Sequence, residues 1–524
     1  MKEAWTQRLL QSVSGFRNKR RPVWLWLPVL LLVVLSCLPI FYIVMRASEV
    51  GWEKAIGLIF RARVYELLIN TVKLAFTVTL VSVLIGVTTA WFVERTRIPG
   101  RKMWNVVVTL PFAVPAFVSS YSWISIYSGF EGFGGAVLVL ALSSYPLVHL
   151  PVAAALRGMD PALEEISRSL GYSRMQTFFK VTLPHLRPAL LGGAILIALH
   201  MLAEFGALAF LNYDTFTTAI FDQYNVAFNS ASAAMLSLVL LVLCLVILGL
   251  ELLIRGKAKY ASVGKGTPRK RELISLGWMA IPALIGFTVL AVLAVGVPLG
   301  TITYWLLTGT SAGFDFPEVF SSLFSTLAFG AGGSIVTILF AFPLVILAIR
   351  YRGLFSTLSD RLPYFIHSLP GLVIGLAMVS FAVRYAFPLY QTAPLLLIGY
   401  AVLFLPLAQS SIRGAMEQVP KQLEEVAGSL GKNPLTVFFK VTLPLVAPGV
   451  GAGLSLVFLE VMKELTATLL LRPTGVDTLA VKIWEHTSNA EFAASAPYAA
   501  LLILISGLPV YLLTMRSFTQ KKEG

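Results

Sequence analysis

The sequence predicts an all-α integral membrane protein whose roughly twelve transmembrane helices form two parallel six-helix repeats. Three observations carry that expectation. The 524 residues are 57% hydrophobic and 13% charged, with a mean hydropathy of +0.80, whereas soluble domains carry about 25% charged residues. Twelve apolar windows approach the ~20 residues needed to cross a bilayer. A 26-residue segment occurs twice, 260 positions apart.

In chain order, a basic segment (1–22) precedes the first apolar run, Pro22 to Met45. That run exceeds a signal h-region and lacks a small-residue cleavage site, so it is expected to stay as a first span. The first half (23–254) then offers windows at 23–45, 66–93, 104–127, 134–153, 189–210 and 232–254. Residues 255–272, rich in Lys, Arg and Gly without apolar periodicity, form a linker. The second half (273–515) offers 275–301, 321–349, 363–387, 392–411, 449–471 and 496–515, and a tail (516–524) follows. Six spans per half, an even number, bring both copies into the membrane from the same side, which makes the repeats parallel rather than inverted.

The formal charge of +15 reports topology. With the N-terminus cytoplasmic, 32 of the 41 Lys and Arg fall on the cytoplasmic side, as the positive-inside rule requires. Both termini are then cytoplasmic, and the basic excess gives no reason to invoke nucleic acid. Cys37 and Cys244 both lie in apolar runs, so neither a disulfide framework nor a cysteine metal site is available.

The strongest signal lies between spans. Asp160-Pro161 is an N-cap and first-turn pair followed by Glu164 and Glu165, where the helix dipole favours acids. Leu163, Ile166 and Leu170 share one face, and Gly171 stops the helix. Ser173 and Gln176 suit a capping box for a second helix with apolar face Met175, Phe178 and Phe179, and Pro184 and Pro188 punctuate the entry to the fifth span. The second half repeats the plan with Leu423, Val426, Leu430, Gly431, Asn433-Pro434, Leu435, Phe438 and Phe439. Across the duplicated segments, 163–188 and 423–448, 14 of 26 positions are identical. Such loops could lie on the bilayer as interfacial helices. Duplication at equivalent places instead suits a partner that is itself a dimer.

These loops resemble those of the membrane-spanning subunits of binding-protein-dependent ABC importers: EAA, three residues, Gly, then hydrophobic-x-Leu-Pro. Glu165, Gly171 and Val181-Thr182-Leu183-Pro184 match, as do Glu425, Gly431 and Val441-Thr442-Leu443-Pro444, although Ile166-Ser167 and Val426-Ala427 replace the alanines. The resemblance implies the type I ABC importer permease fold, with the loops as coupling helices seated on a homodimeric ATPase. ATP-Mg would be held there and no cofactor here. It also implies an extracytoplasmic substrate-binding protein and a bacterial cytoplasmic (inner) membrane location. Glu204-Phe205-Gly206-Ala207 through Asp214–Ile220, and Lys463–Pro473 through Asp477–Ala480, are most similar to fused permeases of iron(III) importers. Permeases for thiamine, aminoethylphosphonate, polyamines and sulfate share the architecture.

No G-x-x-x-x-G-K-[ST] phosphate loop and no H-E-x-x-H occurs, so the residues favour a pore subunit over an enzyme. A twelve-span ion-coupled secondary transporter would share the topology but needs no duplicated two-helix platform. Ionisable residues in spans are functional candidates. His200 and Glu204 stand at i and i+4, and Glu460 and Glu464 stand at the matching positions with Lys463 alongside. Carboxylates are hard oxygen ligands suited to iron(III) or its chelate, so these four are candidates for a translocation path, with no metal site assigned. Pairing with Lys463 or backbone capping would account for them equally. Pro115 and Pro370 predict kinks in the third and ninth spans. Tyr121, Tyr127, Tyr385 and Tyr390 suit either a path or an interfacial belt. External loops 211–231 and 472–495 are expected to meet the two lobes of the binding protein.

Overall fold

The computed structural model describes residues 23–49, 51–127, 129–255, 273–309, 315–351, 353–367 and 369–519. The expected N-terminal segment, nearly all of the linker and the end of the tail lie outside them. Among the described residues there is no strand, only an isolated bridge between Thr96 and Ile274 that ties the end of the second span to the approach of the seventh.

Among the described residues ten helices are long and apolar enough to cross a membrane, and two bent pairs, each counted as one span, bring the number to twelve. The first half holds Val23–Glu49, Ala62–Arg95, the pair Arg101–Ala113 and Ala116–Ile126, then Gly132–Gly158, Arg174–Ala203 and Ser230–Arg255. The second holds Gly277–Thr308, Phe316–Arg350, the pair Leu354–His367 and Gly371–Tyr385, then Ala393–Met416, Pro434–Lys463 and Phe492–Thr519.

Three departures from the sequence expectation have local causes. The third and ninth spans bend by 90° and 108° where a kink was expected. Pro115 and Pro370 act as N-caps of new helices, so each proline ends one helix and starts another. The fifth span begins at Arg174, not 189, because the second loop helix runs straight into it. A π turn at Phe178–Thr182, repeated at Phe438–Thr442, precedes Pro184 and Pro444 and opens the turn that a proline ring would otherwise crowd. The fifth and eleventh spans stop at Ala203 and Lys463, before short helices Gly206–Phe210 and Thr466–Leu471.

In each half the second, fourth and fifth spans (eighth, tenth and eleventh) make the core, and glycines set their spacing. A Cβ on Gly86 would stand 2.8 Å from Val148 Cβ and 3.0 Å from the Tyr145 carbonyl, and one on Gly193 would stand 2.9 Å from the Leu147 carbonyl. Gly86→Val is therefore expected to destabilise the bundle by about 1–3 kcal/mol through overpacking. Thermal unfolding in detergent checks this against Gly57→Ala, where the space is open.

The outer spans are exchanged between halves. The first span packs on the eighth and ninth spans of the second half, and the seventh packs on the third span of the first. Trp26 stacks on Phe355 at 4.6 Å, and Trp104 meets Phe287 at 5.3 Å. Leu372, Val373 and Leu376 of the ninth span join the first half's core. Phe117, Val118 and Tyr121 of the third span join Leu465, Leu479 and Tyr498.

Candidate functional site

Between the fourth and fifth spans, helix Pro161–Ser169 starts on Asp160, whose carboxylate accepts the Ala162 N–H at 2.9 Å. It ends on Gly171 at φ +88°, where the Tyr172 N–H reaches the Ser167 carbonyl and the Gly171 N–H the Arg168 carbonyl. This left-handed closure favours glycine. Lys421–Ser429 ends the same way on Gly431 at φ +76°. The second helices start on the expected Ser173–Gln176 capping box and on Asn433, which accepts the Thr436 N–H at 2.7 Å.

Leu163, Ile166, Leu170, Met175 and Phe179 are all exposed, as are Leu423, Val426, Leu430, Leu435 and Phe439. Glu165 is exposed on the first helix, and Glu425 is exposed with Lys421 3.5 Å away. Phe178 and Phe438 are corrections to the expected face. They turn inward and meet Trp91 and Phe342 edge to face, because the π turn rotates them away from Met175 and Leu435. Exposed apolar clusters of this size mark interaction surfaces.

The structure also gathers residues that the sequence pattern does not reveal. Arg95, the last residue of the second span, lies 3.3 Å from Glu164 and donates to the Leu156 carbonyl at 3.0 Å, and Glu164 accepts from Thr182 at 2.9 Å. Arg350, Glu424 and Thr442 repeat this at 2.9 and 3.2 Å, with the Val419 carbonyl as the arginine's other acceptor at 3.3 Å.

The carboxylates of the fifth and eleventh spans sit at helix breaks. Glu204 Oε1 accepts the Ala207 N–H at 3.0 Å, and His200 Nε2 lies 3.7 Å from Glu204 Oε2. Glu464 Oε1 accepts from Ala467 N–H at 2.9 Å and from Thr466 Oγ1 at 2.6 Å. Both therefore cap the short helices that follow. Glu460 accepts from Lys463 at 2.9 Å, and the Lys463 ammonium stands 4.4 Å from the centre of the Phe112 ring.

The breaks converge between the halves. A Cβ on Gly371 would stand 2.8 Å from Glu464 Oε1, and one on Gly206 would meet Leu465 and Phe117 at 3.0 Å. Glu204 and Glu460 lie within electrostatic reach of Glu464. His367, at the ninth-span break with its Nδ1 2.6 Å from the Leu403 carbonyl, lies within reach of Glu460 and His200. No spacing rule singles out His367, because the bend alone brings it to the centre. Among the described residues no three His, Cys, Asp or Glu form a metal-holding group. Tyr121 is fully buried against Phe492 and serves as core, while Tyr127 and Tyr385 are exposed.

Loops 211–231 and 472–495 each carry a helix, Phe216–Asn225 and Leu479–Ser488. Thr71 and Thr326 anchor them by accepting the Phe216 and Leu479 N–H at 3.3 and 2.8 Å. Asp214 pairs with Arg63 at 2.6 Å. Burial and the neighbouring Asp214 raise the Asp222 carboxyl above its ordinary range. In the second half, Lys482 pairs with Glu318, Asp477 and Glu485, and Arg472 with Asp477 and Glu485. Arg472 and Lys482 are thus neutralised within the chain.

Sequence comparison matches residues 82–259 and 343–519 to the family described as binding-protein-dependent transport system inner membrane component. The chain is 44% identical over 503 residues, 95% of its length and 99% of the relative's, to the Fe(3+)-transport system permease protein FbpB 2 of Haemophilus influenzae. It is 23% identical over 491 residues to the ferric transport system permease protein FbpB of Actinobacillus pleuropneumoniae, covering 86% and 71% of the two chains. Over 198 residues, 35% of this chain and 72% of the other, it is 31% identical to the sulfate transport system permease protein CysT of Salmonella typhimurium. Carrying the family unit twice in one polypeptide of type I permease fold, the chain belongs to the inner membrane components of binding-protein-dependent transport systems, whose pore subunits leave ATP hydrolysis to a separate ATPase.

Proposed function

We propose that this chain is the fused permease of an ATP-driven importer that moves iron(III), or a small iron chelate, across the bacterial cytoplasmic membrane. The near full-length match to an Fe(3+)-transport permease carries this reading. A homodimeric ATPase holding ATP-Mg sits on residues 160–179 and 420–439, one subunit per loop. The binding protein straddles helices Phe216–Asn225 and Leu479–Ser488, one lobe per half. Both termini and the 255–272 linker are cytoplasmic, consistent with 32 of 41 Lys and Arg on that side.

The centre favours a cation over the sulfate carried by the CysT relative. Glu204, Glu460 and Glu464 outnumber the one lysine there, Lys463, which is spent on Glu460. The two capping carboxylates present oxygen to a hard cation without enclosing it, as passage requires and storage does not. Proteoliposomes holding this chain, its ATPase and its binding protein are expected to accumulate radiolabelled ferric iron in an ATP-dependent way and to exclude sulfate and molybdate. Sulfate uptake without iron uptake would overturn the reading.

A further inference from the structure

Two backbone connections join each loop helix to the bundle: Met159–Asp160 and Leu170–Ser173 in the first half, and their counterparts in the second. Two connections define a hinge line about which a short helix can roll. A third attachment off that line stops the roll, and both halves supply one. The Arg95 guanidinium, 4% exposed, joins the end of the second span to the Leu156 carbonyl of the fourth and to Glu164 of the loop helix, and Glu164 in turn takes the Thr182 hydroxyl of the fifth. Arg350 takes the equivalent place with Glu424 and Thr442, its carbonyl partner Val419 lying in the turn between the tenth span and the loop helix. A planar guanidinium can serve a carboxylate and a carbonyl at once, which a lysine's point charge does less well.

The arginines are related by an offset of 255, the Glu and Thr pairs by 260, and the carbonyls by 263. The same arrangement in space is thus assembled from three different registers. None of these side chains belongs to the exposed apolar face, so the hook and the docking surface are separate parts of the loop.

We propose that Arg95 and Arg350 are positioning residues that make each loop helix move as one body with the second and eighth spans. Force applied by an ATP-driven partner then turns the bundle instead of rolling the loop. This inference rests on the function proposed above. Glu164→Gln with Glu424→Gln keeps an oxygen acceptor for the threonines and removes the charge that fixes the arginines. In proteoliposomes with ATPase and ferric-loaded binding protein, this variant is expected to keep full ATPase co-purification and ATP hydrolysis. Iron imported per ATP hydrolysed should fall about tenfold, within the roughly 5–150-fold range of ordinary coupling energies. Exchanging the charges, Arg95→Glu/Glu164→Arg with Arg350→Glu/Glu424→Arg, should restore part of the ratio.

An unchanged ratio in the Gln variant overturns the proposal while leaving the importer reading intact. Absence of ATP-driven uptake in the unmodified protein overturns the importer reading itself. Should the Gln variant fail to assemble, Thr182→Val with Thr442→Val loosens the hook more gently. Full coupling there would make the hook purely structural and overturn the proposal.

Discussion

Placing a carboxylate at the middle of both exposed loop faces, by Ile166→Glu with Val426→Glu, is expected to abolish stable assembly with the ATPase. The two side chains are 56% and 57% exposed, so the bundle does not depend on them. Seated in a cleft, each apolar side chain contributes about 1.5–3 kcal/mol by burial, and a buried unpaired carboxylate costs several kcal/mol more. Across two sites the affinity should fall by more than about three orders of magnitude. Co-purification of tagged ATPase with the variant measures this, and an unchanged melting profile for the variant alone shows that the spans still fold. Stoichiometric ATPase on the double variant would move the docking surface elsewhere. Charge reversal at the exposed Glu165 and Glu425 should have a smaller effect, since rim charges guide encounter more than they set affinity.

The second large effect is expected from Glu204→Gln with Glu464→Gln. Glutamine retains an oxygen to accept the Ala207 and Ala467 N–H groups, so the short helices keep their caps. What is lost is charge. At ~5.5 Å and an effective dielectric constant of ~20, one unit pair is worth about 3 kcal/mol, or roughly a hundredfold in rate. Ferric uptake should fall by about that factor with assembly and basal ATPase activity retained. Glu460→Gln should cost less, because Lys463 already neutralises Glu460. Full uptake in the double variant would leave Glu204 and Glu464 as helix caps alone.

The spans, the duplication and both loop helices could be read from the sequence because each rests on a local rule: apolar length, self-similarity, or cap and stop residues around an amphipathic turn. The capping box at Ser173 and the left-handed stop at Gly171 formed as expected. What escaped depends on tertiary placement. Pro115 announces a disruption, but a 90° bend and a mild kink share that signal. Phe178 and Phe179 are adjacent and chemically identical, and only the π turn decides which one faces outward. Arg95 and Glu164 are 69 residues apart, and the different offsets of their second-half counterparts hide the pair from a search at a single register. Backbone capping is one of the readings open for Glu204 and Glu464, and what the sequence does not place is the helix breaks after Ala203 and Lys463 that create the ends they cap.

The crossed outer spans constrain how the chain comes to be made. The surface that Val23–Glu49 covers on the ninth span is translated more than 300 residues after that helix is complete. At about 5–20 residues per second, the helix waits on the order of a minute or less with one flank against lipid alone. Early insertion therefore has to be sustained by hydropathy, with the final mate arriving late. The second half meets the opposite situation, since the third span that receives Gly277–Thr308 is already in place when that helix emerges. Maturation of the nascent permease is thus asymmetric in time although its finished halves are nearly equivalent in space, and crosslinking of the first helix to the second half should appear only after the ninth has been inserted.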